Sequence, residues 1–499
     1  MMEALRSEII IGFVAAYLAF CVGIGLWSMR RTHSASDFFV AGRSLGAFVV
    51  AMAIFSSTLS GFGFVGGPGL VYATGVSSFW MVAVSAIGYA VGFWLVAKRI
   101  RMVTEVRRCL SLPDVVAARY NSEGARFLTA LTILLGVMGY LATQILALAL
   151  VMQSILQGIE AFADVGLVSC VLFATAILVF YSVTGGIIAS VYTDLVQGAV
   201  MIVAGLLIVI VAASVFDGGI GQASAVVLAD NSEAMMPFGT AGIIACLGWF
   251  FIFGFGLAGQ PHLITKMMMN RRISDNRKIY PMSVFGYIMA ALLWISVGVV
   301  MRAVVLDGGH DPLSAPDAAA PAFLSAFTHP LLAGVVFAAL LAAIMSTSDA
   351  FLNIGTAAVI HDIPNAIRGR SLGRELLWAR VFTVVIAAVA AGFALFSFYE
   401  NERLVALLGA FGWSTFAAAI VPVVVIGLNW KRGTAMGAVV AVLASLLINF
   451  CIEIFSISLP KGINGGYLAM LTSITLFIVV SLVGKRPKHA PDIARIMEI

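Results

Sequence analysis

Charge is scarce in this chain: Asp, Glu, Lys and Arg make up 11% of its 499 residues, against about a quarter in a typical soluble protein. A soluble chain of this length would suggest about three domains, but there is too little charge here to cover their surfaces. Cysteine is scarce too. Cys21, Cys109, Cys170, Cys246 and Cys451 stand far apart and form no CxxC, so neither a disulfide framework nor a thiolate zinc site is supported. The six histidines are dispersed and make no metal cluster. No nucleophile–base pair or metal motif points to an enzyme. The net charge of +5 is small, and the basic residues stand between apolar runs, so neither nucleic acid nor nucleotide is expected as a partner. Low-complexity linkers, soluble domains and long tails are lacking as well.

What fills the chain is apolar: 61% of it is hydrophobic, in runs long enough to span a bilayer at about twenty residues per crossing. The expectation is an all-α polytopic membrane protein, a single domain over 1–499, with about thirteen spans at 8–29, 47–74, 77–98, 126–157, 164–182, 186–214, 240–267, 279–305, 331–358, 376–397, 403–428, 435–455 and 466–484. The division of 47–98 into two helices rests on a turn around Gly75. The first run is followed by Arg30 and Arg31; a signal peptide carries its charges before a shorter apolar core, so this run reads as a retained, extra N-terminal helix. With the N-terminus outside, all basic residues except Arg6, Arg302, Arg403 and Lys461 fall on the inner side, Lys266 among them, as the positive-inside rule requires. The C-terminal tail, 485–499, is then cytoplasmic.

Two segments share one glycine spacing: Gly61-Phe62-Gly63-Phe64-Val65-Gly66 and Gly254-Phe255-Gly256-Leu257-Ala258-Gly259. Both match GxGxxG, but a dinucleotide site needs a soluble βαβ unit around it. Here each run lies in an uncharged stretch, Ser44 to Ala97 or Ala234 to Thr265, and is followed by Pro68 or Pro261. Glycine and proline weaken a helix, and a non-helical backbone at membrane depth survives only where protein buries it or a watery cavity bathes it. Paired interrupted helices point to the central site of a secondary transporter. The interrupted helices are the second and seventh spans, which suits two inverted five-helix repeats within 47–214 and 240–455.

The string Asp37-Phe38-Phe39-Val40-Ala41-Gly42-Arg43-Ser44-Leu45-Gly46 resembles the entry motif of the sodium/solute symporters. Further strings follow in that family's order: Thr184-Gly185-Gly186 with Thr193-Asp194 and Gln197; Gly259-Gln260-Pro261-His262; Ala342 to Thr347; and Trp430-Lys431-Arg432 with Gly437. The resemblance is closest to the bacterial proline-type branch, while Ser56-Ser57-Thr58-Leu59-Ser60 also looks like sialic-acid carriers. It implies a five-plus-five (LeuT-type) fold in a bacterial inner membrane and symport of a small organic solute driven by sodium. It also implies a sodium position formed by backbone carbonyls of Ser56, Leu59 and Ala343 and the hydroxyls of Ser346 and Thr347. Residues 343, 346 and 347 are i, i+3 and i+4, one face of a helix. By spacing alone, small Ser and Thr residues that let membrane helices pack closely are the commoner account, and the family strings turn the balance towards the sodium position.

Asp194 and Asp349 are the two acids deepest in the spans, each roughly 12 Å from the inner side at 1.5 Å per residue, so they could share one polar pocket. A charge there is costly and marks a functional residue by default. In sialic-acid-type relatives an acid matching Asp194 helps to bind a second sodium, whereas Asp349 falls where they have serine. For Asp349 a second sodium, a proton and a structural hydrogen bond all stay open.

The solute is expected between the breaks, near Ser57, Ser60, Gly61, Phe62, Phe253, Gly256, Leu257 and Gln260, with Gln144 either touching it or packing between helices. His262 is expected to satisfy backbone groups. Proline-type carriers have aromatic residues where Phe253 and Leu257 stand here. With no basic residue expected mid-membrane in the fourth span, the pocket suits a small amino or carboxylic acid. Gly437, on a continuous span, is expected to tolerate a methyl group. The different-class alternative is a membrane solute sensor working through a partner protein; the oligomeric expectation is a monomer or weak homo-oligomer.

Overall fold

The computed structural model describes residues 5–30, 35–41, 45–401, 405–455, 457–460 and 463–499. Gly42, Arg43 and Ser44 of the entry string, and the basic residues Arg31, Arg403 and Lys461, lie outside the described residues, as does the Phe62 side chain. The described residues form helices and no strand. In lipid this is what backbone chemistry demands, because a helix satisfies its own N–H and C=O groups. Among the described residues eleven helices are long and apolar enough to cross a membrane, and two shorter apolar stretches, Ala47–Ser56 and Leu167–Phe180, lie where the sequence places two more spans.

Helix α1 (Arg6–Met29) packs along the helices Leu167–Ser214 and Pro330–Ala357 and is therefore part of the body of the protein. The first broken helix consists of α2 (Ala47–Ser56) and α3 (Gly67–Thr74). The run Val76–Arg107 forms α4, separated from α3 at Gly75, whose φ is 79°. Then come the short α5 (Leu112–Tyr120), started by the Ser111 side chain accepting from the Asp114 N–H, and the long α6 (Glu123–Leu156). Helix α7 covers Leu167–Ser214 with a kink at Gly186, where φ is 54° and ψ −162°. That backbone is strained for any residue with a Cβ, and one there would stand 2.7 Å from the Phe38 ring. The expected boundary between the fifth and sixth spans falls at this kink.

The second broken helix begins with α8 (Gly242–Trp249), continues through irregular turns, and resumes as α9 (Pro261–Met267). Helix α10 (Asn276–Leu306) follows. Helix α11 (Pro330–Ala357) is the central post: every residue from Val336 to Ala357 is buried, the pattern of a helix surrounded by protein on all sides. Helices α12 (Glu375–Asn401), α13 (Val405–Ile420), α14 (Ala435–Ile454) and α15 (Gly465–Val483) complete the bundle.

Two expectations need correction. The first helix stops one turn before its glycine run: α2 ends at Ser56, turns follow through Leu59, and Phe62–Gly66 is a widened helical turn leading into α3. Gly437 is a poor neutral position, because a Cβ there would stand 2.3 Å from Ser481 Oγ. Gly392, within α12, has nothing within 4 Å.

Candidate functional site

The end of α2 meets the middle of α11. Thr347 Oγ1 donates to the carbonyls of Ser57 and Ala343, both at 3.1 Å, and Ser346 Oγ lies 3.2 Å from Ser56 Oγ. Leu59 stands in the same unwound turn, two residues beyond Ser57. The five expected sodium ligands, Ser56, Leu59, Ala343, Ser346 and Thr347, are all buried, and two pairs of them are in contact, Ser56 with Ser346 and Ala343 with Thr347. Hydroxyl and carbonyl oxygens collected where a helix unwinds are the ligand type a hard monovalent cation requires.

The acids occupy different surroundings. Asp194, on α7, is fully buried, and its Oδ1 accepts from Ser346 Oγ at 2.5 Å. Its Oδ2 is 2.8 Å from the ammonium of Lys266, which is 1% exposed and also donates to the Ala53 carbonyl at 2.9 Å. Lys266 thus does not belong with the loop residues among which the positive-inside count placed it; it lies in α9 and points into the protein. Asp349 on α11 faces the α7 hydroxyls of Ser182 and Ser190, yet its Oδ2 and both hydroxyl oxygens are buried without a hydrogen bond. Helix α1 closes this region, with Gln197 Nε2 donating to Tyr17 Oη at 2.6 Å.

Around the breaks, the Gly61 N–H donates to Gln144 Oε1 at 2.9 Å, and Ser60 Oγ is 2.9 Å from Tyr140 Oη. On the other side Gln260 Nε2 donates to the carbonyls of Gly256 and Trp413, at 3.1 and 3.2 Å. Phe253 stacks on Trp413 with ring centroids 5.7 Å apart, and Trp413 lies 5.9 Å from Tyr140. A small cavity between the breaks is lined by Thr58, Leu59, Gly63, Met81, Phe253 and Trp413. Ser60, Gly61, Gln144, Phe253 and Gln260 therefore gather about one aromatic cluster. Leu257 turns towards Gly88 of α4, and the Ser57 hydroxyl is bonded back to Ala53. Both glycines stand at close approaches: a Cβ on Gly61 would meet Ala147 at 2.7 Å, and one on Gly256 would meet Ala417 at 2.6 Å.

His262 departs from expectation. Neither ring nitrogen makes a hydrogen bond, and the ring lies against Phe351, at 4.6 Å, and Trp413. Gln144 Nε2 and Gln260 Oε1 are likewise buried without partners. An unmet buried polar atom costs on the order of 1–3 kcal/mol, so a group of them marks a place that a polar ligand or water can complete. Tyr140, Trp413, His262 and Lys266 were not among the expected site residues. Tyr140 precedes Gln144 by one helical turn and His262 ends the Gly-Gln-Pro-His string, so both had a local signal; Trp413, far along the chain, had none.

One histidine, His361, joins a cluster of acidic residues. It lies 3.1 Å from Asp114 and 3.2 Å from Glu375, with Asp362 beside it. Arg126 pairs with Asp114 at 2.6 Å. Burial alone would raise the Asp114 carboxyl, but the hydrogen bond and charge of His361, the Leu110 N–H and Arg126 together hold it below the usual range. This ion-pair network joins the start of α5 to the segment after α11.

An all-helical bundle with two broken helices around a buried oxygen cluster is the architecture of a secondary transporter. The model of the sodium:solute symporter family matches residues 38–445, and the chain belongs to that family. Its activity is sodium-coupled solute symport, and it is a transporter and not an enzyme. The sodium/proline symporter of Escherichia coli (strain K12) is 30% identical over 508 residues, covering 98% of this chain and 95% of that one. The osmoregulated proline transporter OpuE of Bacillus subtilis (strain 168) is 28% identical, covering 97% and 96%. Among solved structures, a sodium-coupled sialic acid symporter in a substrate-bound outward-open state superposes with a TM-score of 0.78 at 17% identity, covering 97% of this chain and 99% of that one. A closed nucleobase-cation-symport-1 transporter superposes at 0.56 with 15% identity, covering 92% and 98%. Both share the fold.

Proposed function

We propose that the solute is a small zwitterionic amino acid of the proline type, carried with sodium into the cell by alternating access. The supporting observation is the pairing of an unmet donor, Gln144 Nε2, with an unmet acceptor, Gln260 Oε1, around Tyr140, Phe253 and Trp413. A carboxylate suits the amide N–H, an ammonium suits the amide oxygen, and a compact apolar ring suits the aromatic walls. The relatives described above include proline carriers, in keeping with this choice. Sodium sits at Ser56, Leu59, Ala343, Ser346 and Thr347, and Asp194 and Asp349 line the ion pathway.

The chain crosses the inner membrane thirteen times, N-terminus outside and C-terminus in the cytoplasm, with inverted repeats in 47–214 and 240–455, and works as a monomer or weak homo-oligomer. Uptake of labelled L-proline into proteoliposomes, with and without an inward sodium gradient, tests the reading. Accumulation that needs sodium is the expected result. Equal uptake driven by a proton gradient in sodium-free buffer overturns the coupling, failure of proline against other amino acids overturns the solute, and binding without accumulation favours a sensor.

A further inference from the structure

The oxygen cluster at the first break already holds one cation of its own. We propose that the Lys266 ammonium is a tethered monovalent cation that fills a second cation position at Asp194 and so limits the protein to one bound sodium. The proposal rests on the sodium position assigned above, next to Ser346.

Lys266 Nζ is held by an Asp194 carboxylate oxygen at 2.8 Å and the Ala53 carbonyl at 2.9 Å, oxygen donors of the kind that sodium takes. The other Asp194 oxygen accepts from Ser346 Oγ, which itself lies 3.2 Å from Ser56 Oγ. Ammonium, carboxylate and the serine pair thus form one chain ending at the sodium position. The single negative charge of Asp194 is answered by the single positive charge of Lys266, leaving no uncompensated carboxylate there to attract a second ion. The tether has a structural consequence too. Lys266 lies on α9, just past the second break, and Ala53 on α2, just before the first, so the ammonium joins the two broken helices. Without it, Asp194, Ser346, Ser56 and the Ala53 carbonyl would form a set of oxygens with one net negative charge, open to sodium.

The test uses sodium alone. Equilibrium binding of radioactive sodium to the purified full-length protein in lipid nanodiscs should give one ion per wild-type chain and one for Lys266→Arg. Lys266→Met should bind two, with the slope of its binding curve rising above one. Two ions on the wild type, or one on a folded Lys266→Met protein, overturns the proposal. Should Lys266→Met fail to fold, the wild-type and Lys266→Gln counts decide in the same way. The assigned sodium position is tested separately by Ser346→Ala and Thr347→Ala, which should weaken the wild-type ion; if they leave it unchanged, that position is wrong whatever the Lys266 counts show.

Discussion

Asp194 and Asp349 are both buried carboxylates on helices that touch each other, and their surroundings differ in kind. Asp194 has an ammonium on one oxygen and a hydroxyl on the other. Asp349 faces two serine hydroxyls, yet neither they nor its Oδ2 makes a hydrogen bond. Burial, nearly complete for both, therefore does not fix the role of an acid. The partners do. A carboxylate paired with a lysine is a fixed part of the framework, since removing one member strands the other's charge, whereas a carboxylate among unpaired hydroxyls can lose its charge or gain an ion without breaking an existing contact.

The largest break in this comparison should come from Asp194→Asn. Stranding Lys266 in the interior should cost about 3–5 kcal/mol, read as a fall in melting temperature and lost transport in purified protein. Adding Lys266→Met to Asp194→Asn should restore much of the stability; a single variant as stable as wild type would mean that the pair carries little.

Next come the hydroxyls of the proposed sodium position, of which Ser346 also donates to Asp194. Ser346→Ala or Thr347→Ala removes an oxygen from a charged centre, worth roughly 1.5–3 kcal/mol, so the sodium needed for half-maximal uptake should rise about tenfold or more. An unchanged sodium dependence would detach these residues from the ion.

Smaller effects should follow at the breaks. Gly61→Ala and Gly256→Ala press a methyl group against Ala147 and Ala417, an overpacking worth about 1–3 kcal/mol, and should lower solute affinity or turnover while membrane insertion persists. Gly392→Ala, in open space, is the control; normal kinetics in both break variants would make these segments ordinary packing.

The smallest change should come from Asp349→Ser. No partner is stranded, so stability should move by less than about 1 kcal/mol and the number of bound sodium ions should stay the same. A lost ion would reverse the contrast and make Asp349 the ion ligand.

Much of this was legible from residue order. The two breaks declared themselves through glycine spacing and the prolines behind it, a local signal; the proposed sodium ligands came from the family resemblance, with which the i, i+3, i+4 spacing agrees. Gln144 and Gln260 could be named as near the solute, but that each keeps one unmet amide atom depends on what every neighbouring helix offers. Lys266 was misassigned for the same reason: a lysine seven residues past a break reads as the start of a cytoplasmic loop.

Order along the chain therefore determined the class, the broken helices and the residue types of the ion site, since membrane insertion and helix formation respond to apolar length and spacing. Only the packed bundle decided which charges meet. Asp194 and Lys266 lie 72 positions apart, Ser346 another 80 beyond Lys266, and Trp413 farther still. Electrostatic and hydrogen-bond energies depend on separations of about 3 Å, which no spacing in the sequence encodes and which exist only once α2, α7, α9 and α11 have closed around one another.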